Sequence, residues 1–90
     1  MSEEMTELNR WLTVIRSMPS GVVGLKATVD DLTDGYRLRA HMSVNGTMYV
    51  ASLVVSHHAT VAMNAAEMRS RLAHLAGEVV TGYKLGLAQP

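Results

Sequence analysis

From Tyr36 to Val44 apolar and polar side chains alternate without a break: Tyr36, Leu38, Ala40, Met42 and Val44 against Arg37, Arg39, His41 and Ser43. A period of two with one apolar face predicts a half-buried strand over 36–44. Asn45-Gly46 follows, and both residues tolerate the positive φ of a two-residue type I′ turn, so residues 47–56 are expected to return antiparallel. That turn sets Val44 opposite Thr47. Tyr49, Ala51, Leu53 and Val55 then share a face with Met42, Ala40, Leu38 and Tyr36, while Met48, Val50, Ser52 and Val54 stand beside Ser43, His41, Arg39 and Arg37. The third strand is therefore apolar on both faces.

The rest of the chain places elements on either side of this hairpin. Met5, Leu8, Trp11 or Leu12, Ile15 and Met18 recur at steps of three and four, which predicts an amphipathic helix over 3–18 with Ser2 as cap and Pro19-Ser20-Gly21 as its end. Val23, Leu25, Ala27 and Val29 alternate with smaller or polar residues and predict a strand over 22–29. The run Asp30 to Gly35 reads as a polar loop ending in a turn-forming Asp-Gly. Val61, Ala65, Met68, Leu72, Leu75 and Val79 predict a second helix over 60–81, capped by Thr60 or by an Asn64–Glu67 capping box and stopped near Gly82. Residues 82–90 form a short tail. The expected fold is α+β in the order α-β-β-β-α, a single domain with its helices on one face of a three-stranded antiparallel meander.

Composition narrows the function classes. Ninety residues with 48% hydrophobic side chains make a globular domain whose core is thin. There is no cysteine, so neither a disulfide nor a Cys-based zinc site is available. Eight basic and eight acidic residues cancel, which disfavours binding to nucleic acid mainly through phosphates. The first twenty residues are amphipathic and partly acidic, unlike a signal peptide, and no apolar run reaches membrane-spanning length. A cytoplasmic protein that does not engage membranes is expected.

Sites for chemistry are sparse. Counted back from Gly35 as the sixth position of a calcium loop, Asp30 and Asp34 fit, but Leu32 and His41 occupy ligand positions that need oxygen. His57 faces Asp34 across the open end of the hairpin, with His58 beside it, and imidazole next to carboxylate is raw material for an acid–base pair or a metal site. Adjacent strand residues point to opposite faces, however, and no third ligand lies at a recognised spacing. No Gly-x-Ser-x-Gly elbow and no phosphate-cradling glycine loop is present. No enzyme activity, cofactor or metal is therefore expected, and a hydrolytic or metal-dependent centre at Asp34, His57 and His58 is the remote alternative.

The order helix, three strands, helix is similar to that of the double-stranded-RNA-binding domain. The residues depart from that family where it touches RNA. Its second helix begins Lys-rich, whereas this one reads Thr60-Val61-Ala62-Met63-Asn64, and the loop between strands one and two is acidic here. Lys26, Arg37, Arg39 and His41 would still line the outer sheet face, which keeps a nucleic-acid-binding regulator as the second reading. The leading expectation comes from Met48, Val50 and Val54, apolar residues on that same face of what should be an edge strand. They need cover from the chain itself, from a second copy or from another protein. Together with Arg37, Arg39 and His41 they would form the contact surface of a small non-enzymatic protein–protein interaction module that acts as a homodimer or through a protein partner, and such a contact could pair edges into a continuous sheet across a two-fold axis. Proteins of this build include adaptors, inhibitors and accessory regulators, some encoded by mobile elements.

Overall fold

The structure, a computed structural model, describes residues 6–17 and 24–86. Helix α1 (Glu7–Ser17) is followed by strands β1 (Lys26–Asp31), β2 (Gly35–Val44) and β3 (Thr47–Ser56), then by helices α2 (His57–Ala62) and α3 (Ala65–Leu85). The strands form one antiparallel sheet in the order β1-β2-β3. This is the expected mixed α+β layout. The hairpin register is also the expected one: Val44 pairs with Thr47, Ala40 with Ala51 and Tyr36 with Val55. Asn45 at φ 50° and Gly46 at φ 81° supply the left-handed backbone that a two-residue turn of this hand needs.

The helices cover one face of the sheet. α3 lies across β2 and β3, while α1 lies against β1 and against the side of α3. β2 is central, and its inward residues Tyr36, Leu38, Ala40 and Met42 are all buried. They meet Trp11 and Val14 of α1 and a stripe on α3 made of Met68, Leu72, Leu75 and Val79, spaced by fours and threes. The edge strands are less enclosed. Ala27 and Val29 on β1 and Tyr49, Ala51 and Leu53 on β3 are half-buried.

Several boundaries differ from the expected ones, each for a local reason. β1 runs on through Asp30 and Asp31, which had read as loop; Asp30 pairs with Arg37 and its carboxylate takes a hydrogen bond from Arg39 at 2.7 Å. α1 begins at Glu7, after Thr6, whose hydroxyl accepts from the Asn9 N–H at 3.2 Å, rather than at residue 3, and β1 begins at Lys26, after Gly24 in the left-handed conformation at φ 83°, rather than at residue 22. The expected cap Ser2, helix residues 3–5 and 18, the helix end at 19–21 and strand residues 22–23 lie outside the described residues. The helix expected over 60–81 is two helices. Ser56, not Thr60, caps α2 by accepting from the Ala59 N–H at 3.0 Å. Asn64 caps α3: its side chain accepts from the Glu67 N–H at 2.8 Å, and the Glu67 carboxylate accepts from the Asn64 N–H at 3.0 Å. A continuous helix would forfeit both bonds and would turn Met63, 7% exposed, away from the core.

Gly82 does not stop α3, which continues to Leu85 and ends at Gly86 in the left-handed conformation, φ 72°. Tyr83 and Leu85 of the expected tail are therefore helical. α1 and α2 are locked together by a polar contact. Trp11, fully buried, donates its indole N–H to the Thr60 hydroxyl at 3.3 Å, and Thr60 donates to the Ser56 carbonyl at 3.0 Å. The Arg10 guanidinium donates to the carbonyl of Thr60, which also accepts from the Met63 N–H at 3.1 Å, and to the carbonyl of Met63.

Candidate interaction surface

The six surface residues singled out from the sequence fall together. Arg37, Arg39 and His41 on β2 and Met48, Val50 and Val54 on β3 all project from the sheet face opposite the helices. No described element covers that face: Met48 is 48% exposed and Val54 61%. Within this face the charge is partly spent. Arg39 is held by Asp30, so the basic row is interrupted by a carboxylate.

The edge of β3 adds a feature beyond the face itself. In a two-residue hairpin of this type Val44 and Thr47 exchange both backbone hydrogen bonds, and such pairs then recur at every second residue. The N–H and C=O groups of Tyr49, Ala51 and Leu53 thus point at β2, and those of Met48, Val50, Ser52 and Val54 point outward. Among the described residues no strand pairs with that outer edge. The strand is ten residues long, Thr-Met-Tyr-Val-Ala-Ser-Leu-Val-Val-Ser, with no charged side chain and no proline. Such an edge is a template for a further strand.

Beside it runs a groove between β3 and α3. Tyr49, Ala51 and Leu53 form one wall, and Arg71, His74 and Glu78 of α3 form the other. His74 and Glu78 are joined at 3.0 Å along the helix. At one end Tyr83 packs edge-on against Tyr49, with ring centroids 5.4 Å apart. The groove exists because α3 is centred over β2 and β3 rather than beyond β3, so the inner face of the edge strand stays half open. The heptad-like spacing of Arg71, His74 and Glu78 on the side of α3 next to the core stripe was the available signal; which side of the helix would meet the sheet edge was not.

Asp34 and His57 meet through backbone rather than through their side chains. His57 donates its backbone N–H to the Asp34 carbonyl at 3.2 Å, its ring Nε2 lies 3.4 Å from the Leu32 carbonyl oxygen, and the ring stands edge-on to Tyr36 at 4.7 Å. His58 and Asp34 are exposed, and among the described residues no hydrogen bond or ion pair joins the Asp34 carboxylate to either histidine. His57 thus closes the loop that joins β1 to β2. Among the described residues no three His, Asp or Glu side chains stand together as a metal site would require, and no helix is long and apolar enough to cross a membrane. Comparison of the chain with protein-family models, with curated proteins and with solved structures finds no match.

Proposed function

We propose that this chain is a protein–protein interaction module that binds through β3, using the outward backbone groups of the strand together with Met48, Val50 and Val54 on the open face. The observation that carries this reading is the ten-residue, uncharged outer edge of β3 with exposed Met48 and Val54 beside it. Adding a strand there would pair the outward N–H and C=O groups of Met48, Val50, Ser52 and Val54 and desolvate the apolar row at the same time. Arg37 and His41 would stand at the rim, where polar groups set specificity more than affinity. The Arg39–Asp30 pair supports this reading over phosphate binding, because it leaves fewer cations on the face.

The test is affinity capture from the native host with the wild-type chain and with Val50→Glu combined with Val54→Glu, both checked for folding by circular dichroism. Both side chains point away from the core, so the variant is expected to fold. Proteins, including untagged copies of the chain, should be retained by the wild type and lost by the variant. Identical retention by both would refute binding through β3.

A further inference from the structure

Building on that reading, we infer that the occupant of β3 is a second copy of this chain, related by a two-fold axis that runs between the two β3 strands and between the two α3 helices. Three features point to a copy rather than to an unrelated strand.

The first is spacing. Paired strands lie about 4.8 Å apart. α3 contacts both β2 and β3, and an axis midway between them would lie about half a strand spacing inside β3. A β3–β3 axis would lie half a spacing outside. The two α3 helices would then be about 10 Å apart, the distance at which packed helices interdigitate. Continuing the sheet would thus close the groove with the other copy's α3.

The second is the strand's own symmetry. Antiparallel pairing of β3 with itself about Ala51 sets Val50 of one copy beside Ser52 of the other and Met48 beside Val54, on the open face. It sets Tyr49 beside Leu53 on the helix side, with alanine against alanine at the axis. The exposed large apolar residues of the strand, Met48 and Val54, cover each other, and the half-buried Tyr49 and Leu53 do the same.

The third is charge order on α3. Arg71 and Glu78 both line the groove wall, and His74 and Glu78 line it next to Ala51 and next to Ser52 alike, so the middle of α3 lies over the middle of β3. One axis can therefore serve both elements. Two such helices running antiparallel about that point bring Arg71 of each copy to Glu78 of the other, twice per dimer. An unrelated peptide strand would fill the edge without bringing a Glu78 to Arg71.

The experiment is sedimentation equilibrium over a wide concentration range on the wild type, on Arg71→Glu, on Glu78→Arg and on the combined swap. Arg71 and Glu78 are exposed on α3, so all four chains should give the same circular dichroism. The wild type should dimerise. Each single reversal places like charges across the axis and should weaken the dimer about tenfold or more, while the combined swap should restore most of the loss. A purely local role for either residue would give no such restoration. A wild type that stays monomeric at every concentration, or single reversals that leave the dimer unchanged, would overturn the proposal. A monomeric wild type that still captures proteins in a Val50- and Val54-dependent way would overturn the second copy while leaving binding through β3 intact.

Discussion

The two edges of the sheet are built differently. β1 is six residues long and three of them, Lys26, Asp30 and Asp31, are charged. β3 is ten residues long and has no charge. Charged side chains and short length are the usual means by which an edge strand is kept from pairing with another chain, because a stranger's strand would have to desolvate them. β1 uses both means and β3 uses neither. The same asymmetry appears on the open face, where Asp30 and Arg39 satisfy each other near β1 while Met48 and Val54 stand in solvent on β3. On the proposed reading, the protected edge turns partners away and the open edge receives them.

That contrast can be broken most severely at Gly35, which pairs with Ser56 at the far end of the hairpin. A Cβ there would meet the carbonyl of Val55 and come within 2.9 Å of the Ser56 Cα, and backbone cannot move aside as a flexible side chain does. Gly35→Ala should cost about 3 kcal/mol and separate the ends of β2 and β3, measured by urea unfolding. If it is neutral, β3 is not held as tightly to β2 as its register implies.

A smaller effect is expected from removing the protection of β1. Lys26→Val with Asp30→Val should leave the fold intact, since the Asp30–Arg39 pair is solvent-exposed and contributes about 1 kcal/mol or less. It should nonetheless create a second adhesive edge, visible as species larger than those of the wild type in light scattering. An unchanged size distribution would mean that charge is not what keeps other chains off β1.

The smallest effect belongs to the central strand that both edges share. Tyr36 is buried, and desolvation first, then the nearby charges of Glu7 and Asp31, push its hydroxyl above the ordinary value of 10.0. The folded state therefore keeps this proton where the unfolded chain has begun to lose it. Its contribution to stability is complete below the unfolded pKa and is lost as pH rises from about 10 through the raised value. The urea midpoint of the wild type should fall between about pH 9 and about pH 11 by more than that of Tyr36→Phe. Equal falls would place the alkaline loss elsewhere.

Much of this was legible in the chain because the hairpin is over-determined. Asn45-Gly46 admits one turn geometry, and that alone aligned every residue from Tyr36 to Val55 and exposed the double-sided apolar character of β3. The surface residues Arg37, Arg39, His41, Met48, Val50 and Val54 followed from the same register. Other features depended on tertiary contacts that leave no periodic trace. Asp30 and Asp31 look like loop until Arg37 and Arg39 lie across from them. The break at Met63 and Asn64 is set by a capping box competing with helix continuation, and the two are similar enough in sequence that only the contacts of Arg10, Trp11 and Met63 decide. Gly82 stays helical because the left-handed turn waits until Gly86. The groove was hidden because it depends on where α3 rests across the strands.

Amide hydrogen exchange read residue by residue tests the central claim most directly, because it compares the two edges in one sample. In the register described, Val50, Ser52 and Val54 on β3 and Ala27, Val29 and Asp31 on β1 point their N–H groups away from β2. If β3 is the binding edge and a second copy fills it, the three β3 amides should exchange slowly in concentrated protein and speed up on dilution, while the three β1 amides exchange fast throughout. Fast exchange at both edges at every concentration, with the amides of Tyr49, Ala51 and Leu53 still protected, would contradict the account.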